Sequence, residues 1–213
     1  MRVVLVVLTF SILAAAVPLP PSDVAATQNG GRIEASATAE WEGEWLSVSS
    51  RVNILDKRGI FAKAAINGSS ADDIRKSFLK RFGSDIERVR IERGHFTFLS
   101  ADGSKVIGGA QYAYSGFVGQ MSEGREIQWH KFKLTGGWGK YPALACSEPY
   151  GVLGQWILVQ GDVKDSQNIF AEAQAMMLPA DLATEAIAEA LDTPEFIFFL
   201  QSLPLRGKKE GRK

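Results

Sequence analysis

The chain has 213 residues, of which 46% are hydrophobic and 10% aromatic, so it is long enough for one globular domain with its own core. Lys and Arg together number 24, as do Asp and Glu, and the formal net charge is zero. Basic side chains gather only in a short C-terminal tail, which is usually solvated. This composition predicts no nucleic-acid partner.

The N-terminal residues have the features of a secretory signal. Arg2 precedes an uncharged apolar run at 3–17, in which Ala14 and Ala16 form an Ala-x-Ala cleavage site. We therefore predict a cleaved signal peptide over 1–16 and a secreted or periplasmic protein.

An uncleaved N-terminal membrane anchor is the alternative. A spanning helix needs about 20 apolar residues, and Pro18, Pro20 and Pro21 interrupt this run early. The sequence therefore predicts no stable membrane insertion. Residues 17–39 are rich in Pro, Ser, Gln and Gly and are predicted to form a flexible lead-in.

Two tryptophans open the segment that follows the lead-in. Trp41 and Trp45 are four residues apart with Gly43 midway, which fits simple strand alternation poorly. The spacing fits a tryptophan that closes one end of a β-barrel, beside a glycine at which the backbone turns tightly.

The next segment has the pattern of an amphipathic helix. Ser70 and the acids that follow it supply the capping chemistry of a helix start. Ile74, Phe78 and Phe82 then recur at helical spacing, and Gly83 ends the pattern. We expect this helix to lie on an apolar surface.

After this helix the pattern changes to a period of two, which is typical of β-strands. Arg93-Gly94, Asp102-Gly103 and Ser122-Glu123-Gly124 predict turns between strands. Gly108-Gly109 and Gly136-Gly137 are interpreted as further hairpin turns rather than nucleotide-binding loops. The later predicted strands cover 112–117, 127–132, 141–145, 156–160 and 169–173.

Helical periodicity returns after Pro179, with Asp181 as the predicted cap and an apolar stripe over 182–191. The apolar run at 196–200 either docks as a last helix or forms an exposed contact patch. No internal repeat or second-domain linker is visible. These elements predict a mostly β, lipocalin-like (calycin) antiparallel barrel with an early helix and a C-terminal helix.

Five blocks stand in a characteristic order along the chain. They are Trp-x-Gly-x-Trp-x-Ser-Val at 41–48, the helix and strand at 73–91, Tyr-x-Tyr-x-Gly at 112–116, the strands at 155–158 and 169–170, and the helix at 178–189. Together they resemble the ZinT/YodA family of secreted, zinc-binding, lipocalin-like proteins. The resemblance implies one domain over 40–192, followed at 193–213 by an apolar segment and a basic tail.

The resemblance also implies a zinc site of three histidines on two late strands. Those positions fall on Trp156, Ser166 and Asn168 here, and none of the three supplies an imidazole nitrogen. The family's disulfide is missing too, because Cys146 matches one cysteine and Ala110 occupies the partner position. The resemblance therefore implies zinc as the family's metal and a degenerate site in this chain.

The remaining metal-ligating side chains are few. His95 and His130 are the only histidines, and they lie on separate predicted strands, so a relocated zinc site would have to use them with nearby acids. Cys146 is the only cysteine and lies in an apolar, strand-like run. We predict that it is a small buried hydrophobe and not a nucleophile.

We expect an exported ZinT-like binding protein with a degenerate zinc site. We do not expect an enzyme, because no nucleophile elbow, phosphate loop or paired-histidine helix is present. The alternatives are a lipocalin-type carrier of a small organic ligand and a protein-interaction module that uses the C-terminal apolar segment. In a carrier the cavity would be lined by five aromatic residues, which would otherwise be ordinary barrel core. They are Trp41, Trp45, Tyr112, Tyr114 and Trp156.

Overall fold

The computed structural model describes residues 38–66, 68–122, 125–151, 153–161 and 173–203. Within these ranges, antiparallel strands form a closed barrel in which each strand pairs with the next and the last pairs with the first. The strands are β1 (Gly43–Ser47), β2 (Arg88–Glu92), β3 (His95–Leu99), β4 (Val106–Ser122), β5 (Arg125–Trp138), β6 (Ala143–Ser147), β7 (Trp156–Gln160) and β8 (Ala173–Pro179). The predicted lipocalin-like barrel is confirmed.

The alternation of apolar and polar side chains decides which face of each strand points inward. In β2, Val89 and Ile91 are buried, whereas Arg90 and Glu92 are exposed. β3 pairs with β2 so that Phe98 lies opposite Val89, on the same interior face. A one-residue shift of this register would turn the apolar set outward.

The barrel interior is a packed core made largely of aromatic rings. The ring of Phe96 lies 5.1 Å from that of Tyr112 and 5.7 Å from that of Phe132, measured between centroids. Branched and sulfur-containing side chains fill the space between the rings, among them Leu158 and Met177. Burying rings of this size supplies much of the stability of a domain.

The helices lie outside the barrel wall. Within the described ranges they are α1 (Val52–Lys57), α2 (Ile60–Ala64), α3 (Ala71–Phe82), α4 (Thr184–Leu191) and α5 (Pro194–Ser202). They form a second core with the outward side chains Met176 and Leu178 of β8. None of these helices is long and apolar enough to cross a membrane.

Helix α3 begins and ends where the sequence predicts. The Oγ of Ser70 accepts a hydrogen bond from the backbone N–H of Asp73 at 3.1 Å, and the Asp73 carboxylate accepts from the N–H of Ser70 at 2.9 Å. This reciprocal pair is a capping box. Phe78 and Phe82 are buried, and Gly83 is the C-cap.

Two further predictions at the level of single elements are confirmed. β7 covers the predicted residues 156–160. At the turn between β2 and β3, Arg93 has φ 49° and Gly94 has φ 79°. Two consecutive positive φ angles are what a tight two-residue hairpin requires.

The apolar run at 196–200 docks as part of α5. Phe196 and Leu200 are buried, and the ring of Phe196 lies 6.4 Å from that of Phe78 in α3. Phe198 points the other way and is 66% exposed. The folded part of the described chain therefore includes α5.

The turns predicted at Gly108-Gly109 and Gly136-Gly137 are wrong. These glycines lie inside β4 and β5, which pair so that Ala110 is opposite Gly137. A Cβ at Gly137 would lie 2.8 Å from the backbone oxygen of Gly109, and φ at Gly137 is 95°. The glycines therefore allow two long strands to approach closely rather than ending them.

The start of α4 also differs from the prediction. Its N-cap residue is Ala183, and no side chain caps the helix, so Asp181 does not serve as the cap. The reason is a turn after β8, in which the N–H of Leu182 bonds the carbonyl oxygen of Pro179 at 3.4 Å. Of the strand predicted at 169–173, only Ala173 lies within the described residues, where it begins β8.

Candidate functional site

The barrel has two differently built ends. We call one of them the Trp41 end. There β1 begins at Gly43, β7 begins at Trp156 and β6 finishes at Ser147. At the opposite end, which we call the Asp85 end, β7 finishes and β6 begins. The loop that precedes β2 lies beside these strand ends and carries Asp85. The mouths of barrels are where interiors open to ligands.

Trp41 closes its end of the barrel. It is 1% exposed, and its indole N–H donates to the backbone oxygen of Ser147 at 2.9 Å. The indole N–H of Trp45 donates in turn to the backbone oxygen of Trp41 at 2.7 Å. Gly43 has φ 126°, which lets the chain turn sharply from Trp41 into β1.

The aromatic residues predicted as a cavity lining pack into the barrel core. The rings of Trp45 and Trp156 meet edge to face at 5.4 Å, and the hydroxyl of Tyr112 donates to the backbone oxygen of Tyr141 at 2.8 Å. The indole N–H of Trp156 has no acceptor among the described residues. Trp41, Trp45, Tyr112 and Trp156 are at most 9% exposed, and Tyr114 is partly buried. Their placement is that of barrel core.

Of the family's three zinc positions, only Trp156 lies within the described residues. Gln160 pairs with Ala173, and Ser166 and Asn168 belong to the segment between them, outside the described residues. Trp156 stands four residues before Gln160 on β7, which is about 13 Å along a strand.

The two histidines do not converge either. His95 is exposed on β3, where its Nδ1 lies 3.2 Å from the Thr97 hydroxyl. His130 lies inside the barrel beside Trp41, with its Nε2 3.9 Å from a carboxylate oxygen of Glu148. Within the described ranges, no three His, Cys, Asp or Glu side chains are grouped so that they could hold a metal ion. These residues do not fit zinc, which needs three or four converging donors.

Cys146 is the buried side chain that its strand context predicts. It is fully buried in the barrel core, next to His130 on the neighbouring strand. Burial raises the pKa of the Cys146 thiol well above its ordinary value. The thiol is therefore protonated at neutral pH and is a poor nucleophile.

At the Asp85 end, three side chains donate hydrogen bonds to the Asp85 carboxylate. The Tyr141 hydroxyl and the Gln160 amide donate to Oδ1 at 2.6 and 3.0 Å, respectively. The Lys140 ammonium group bonds Oδ2, so the Asp85–Lys140 pair carries no net charge. The Gln160 amide also donates to the Ser84 hydroxyl. We call these five residues the Asp85 cluster.

An open cleft of about 70 Å³ lies beside the Asp85 cluster. Its walls include Asp85, Lys140 and Tyr141 on the polar side and Phe98, Ile107 and Trp138 on the apolar side. Gly108 also lines the cleft, at a position of β4 opposite Phe98. Alternation with the buried Ala110 and Tyr112 makes this an inward position, so the missing side chain leaves the space open.

The phenol of Tyr141 stays protonated in the neutral range and so keeps its hydrogen bond to Asp85 there. Burial, with a further contribution from the nearby Tyr112, raises the pKa of Tyr141 to about 12. The phenol therefore stays protonated and continues to donate across the neutral range. The Lys140 ammonium nitrogen also lies 5.4 Å from the centre of the Tyr141 ring, within cation–π range.

The sequence alone does not single out the Asp85 cluster. Asp85, Lys140 and Gln160 come from three distant parts of the chain, and only closure of the barrel brings them together. One signal was present, because Trp138 is a large apolar residue between two glycines in a region otherwise predicted to turn. Trp138 is 90% exposed at the outer rim of the cleft.

Two solved structures share the fold. The Zn(II)-bound ZinT-like domain of Streptococcus pneumoniae AdcA is 15% identical with a TM-score of 0.55, and the match covers 80% of this chain and 94% of that domain. Zn(II)-bound AdcA from the same organism is 16% identical with a TM-score of 0.54, covering 71% of this chain. The match spans only 34% of the AdcA chain. These likenesses show that the chain has the fold of a ZinT-like domain.

No protein-family model matches the sequence, and no curated protein matches it.

Proposed function

We propose that this chain is an exported binding protein of the ZinT-like class, in which the zinc site is degenerate and a small organic molecule binds at the Asp85 end. The fold supports the class, since the match covers almost the whole ZinT-like domain of AdcA, which was solved with Zn(II) bound. The charged start, apolar run and Ala-x-Ala site at 1–16 support export.

The donor groups support a degenerate zinc site. His95 and His130 are the only histidines in the whole chain, and they stand on strands separated by β4, one outside the barrel and one inside. The indole of Trp156 cannot ligate a metal. At the Asp85 end, the ammonium group of Lys140 already neutralises the Asp85 carboxylate and would repel a second cation.

The open cleft beside Asp85 is the observation that carries ligand binding. Sites for small molecules combine apolar walls with a few polar groups that fix the orientation of the ligand. Phe98 and Ile107 supply apolar wall, whereas Lys140 and Tyr141 supply polar groups. Because the interior aromatic residues are packed as core, the ligand is held at the mouth of the barrel instead of deep within it.

A protein partner at α5 is the second candidate. Phe198 is 66% exposed and forms a shallow groove with Pro194 and Phe199. However, Phe196 and Leu200 of the same helix are buried against the rest of the protein. Most of the apolar segment is thus already used for folding, which favours the ligand-binding function.

Thermal unfolding of the mature, untagged chain with added zinc tests the proposed function. A ligand present at a hundredfold excess over its Kd stabilises the native state by about 2.7 kcal/mol, which raises Tm by roughly 5–10 °C for a domain of this size. We expect zinc to raise Tm far less than this. A saturable rise of that size, lost in His130→Ala but kept in the exposed control His95→Ala, would overturn the degenerate site.

A further inference from the structure

We propose that the cleft at the Asp85 end is a saccharide-binding site, in which one sugar ring stacks on Trp138 and its hydroxyl groups bond the Asp85 cluster. This inference rests on the proposed function only in placing the ligand at that end of the barrel. It adds the chemical class of the ligand.

Trp138 offers an exposed aromatic side chain at the rim of the cleft. The side chain is 90% exposed, and Ile107 of β4, which also lines the cleft, is 56% exposed. The pairing of Gly109 with Trp138 places these side chains at the same edge of the barrel. A pyranose ring has an apolar C–H face of matching size, which can cover an indole while the hydroxyl groups stay outward.

The Asp85 cluster can both donate and accept hydrogen bonds. A sugar hydroxyl both donates and accepts, so its site needs both kinds of partner. The Lys140 ammonium group has three N–H donors, of which one is directed at Asp85, while the Asp85 carboxylate and the Tyr141 oxygen can accept. The side chains of Lys140 and Asp85 are 65% and 47% exposed, so a ligand can reach them.

The Asp85 cluster has no net charge. Asp85 and Lys140 cancel each other, and the other members of the cluster, Ser84, Tyr141 and Gln160, are neutral. A charged ligand could form a full ionic contact with Asp85 or Lys140 only by breaking the ion pair between them. An uncharged, hydroxyl-rich ligand can bond both partners without separating them.

The size of the cleft fixes how the ring would sit. A volume of about 70 Å³ is well below the roughly 300–1,000 Å³ of pockets that enclose a whole small-molecule ligand. The cleft therefore holds only one edge of a ring, in the space that Gly108 leaves beside Phe98. The rest of the ring lies on Trp138, and a single sugar is expected to bind weakly.

The test is a titration of the ¹⁵N-labelled mature chain, in the presence of a chelator, followed by NMR. The probes are glucose, galactose, mannose and N-acetylglucosamine, each used alone. We expect at least one to shift the Trp138 indole N–H saturably, with a Kd on the order of 1–10 mM. Trp138→Ala and Gly108→Ala should each weaken this binding at least about tenfold.

Two control variants match these changes. Phe198→Ala removes an exposed aromatic side chain far from the cleft, and Gly136→Ala adds a methyl group where no atom lies within 4 Å. Both should bind the sugar as the parent does. For Gly108→Ala, the added methyl group lies 3.3 Å from the backbone oxygen of Trp138, a contact that a small shift can relieve.

The inference is overturned if none of the four sugars gives a saturable shift, or if Trp138→Ala binds as well as the parent. It is also overturned if glucuronate binds at least tenfold more tightly than glucose, because the site would then select an anion. The chelator separates this test from the zinc test. If the sugars fail and zinc is also not bound, the ligand class is wrong while the degenerate zinc site stands.

Discussion

The indole N–H of Trp45 donates a hydrogen bond to the backbone oxygen of Trp41 at 2.7 Å, joining two tryptophans that are four residues apart. The turn at Gly43 makes this contact possible, and a second bond from Trp41 to the backbone of Ser147 ties the same unit to β6. One short segment therefore starts β1 and closes the Trp41 end of the barrel.

Replacing Trp45 by Phe should destabilise the protein by about 2–4 kcal/mol, because the variant leaves a buried backbone oxygen unpaired and creates a small cavity. Urea unfolding followed by circular dichroism measures the change. Trp138→Phe is the matched control, since Trp138 is 90% exposed, and it should cost no more than about 0.5 kcal/mol. Equal losses in the two variants would show that the Trp45 bond contributes nothing.

Gly137→Ala should destabilise the barrel by about 2–3 kcal/mol. Its φ of 95° is strained for any residue with a Cβ, and the new methyl group would lie 2.8 Å from the backbone oxygen of Gly109. The neighbouring Gly136→Ala has no such contact and should be nearly neutral. Chemical denaturation of both variants measures the difference, and a cost at Gly137 no larger than at Gly136 would contradict the close strand approach.

These glycines show where sequence patterns stop being informative. A Gly-Gly pair predicts a turn because it is the commonest local use of glycine, but close contact between two strands favours the same residue. By contrast, the Ser70 cap, the helix after it and the hairpin at Arg93-Gly94 depend on neighbours along the chain and were predicted correctly. Features that depend on neighbours along the chain can be inferred from the sequence. Contacts between strands can be inferred only when the pairing register of those strands is known.

Cys146 should react slowly with a thiol reagent in native buffer and rapidly in denaturant. The side chain is fully buried, and burial raises its pKa, so both access and thiolate formation are suppressed in the native state. Absorbance at the wavelength of the released thiolate follows the reaction. Native labelling as fast as that of the unfolded chain, or a disulfide-linked dimer on a non-reducing gel, would contradict this placement.

Glu44 should make a stability contribution that depends on pH. The hydrogen bond from Arg90, opposed by burial and assisted by Arg88, holds the pKa of Glu44 below 4.5. Because the folded-state pKa is depressed, the contribution is present above pH 4.5 and is lost as the pH falls through the folded-state pKa.

The variant Glu44→Gln should accordingly be less stable than the parent at neutral pH, and the difference should shrink as the pH falls below 4.5. Urea midpoints measured across this range provide the check. Glu92→Gln, an exposed change on the neighbouring β2, is the control and should show a smaller effect at neutral pH. A difference for Glu44→Gln that stays constant with pH would mean that ionisation of Glu44 is not its cause.

The mature protein should begin near Val17, because cleavage after Ala14-x-Ala16 follows a suitable apolar core. Intact mass and N-terminal sequencing of secreted material decide this. Retention of Met1 in a membrane fraction would favour an anchor and contradict the export that we propose.

The candidate site was less predictable than the fold. The resemblance directs attention to Trp156, Ser166 and Asn168, but it does so only by showing what is missing there. Asp85 and Lys140 are ordinary surface residues in the sequence, and only the folded barrel brings them together beside the cleft that Gly108 lines. A glycine at an inward strand position, such as Gly108, cannot be recognised from the alternation of apolar and polar residues.

Elemental analysis of the secreted, untagged protein, purified without chelator, tests the central claim most directly. With two histidines on different faces of the barrel wall, the chain should carry well under one zinc per molecule. One zinc per chain, bound with micromolar affinity and lost in His130→Ala, would contradict the account and show that the zinc site has moved.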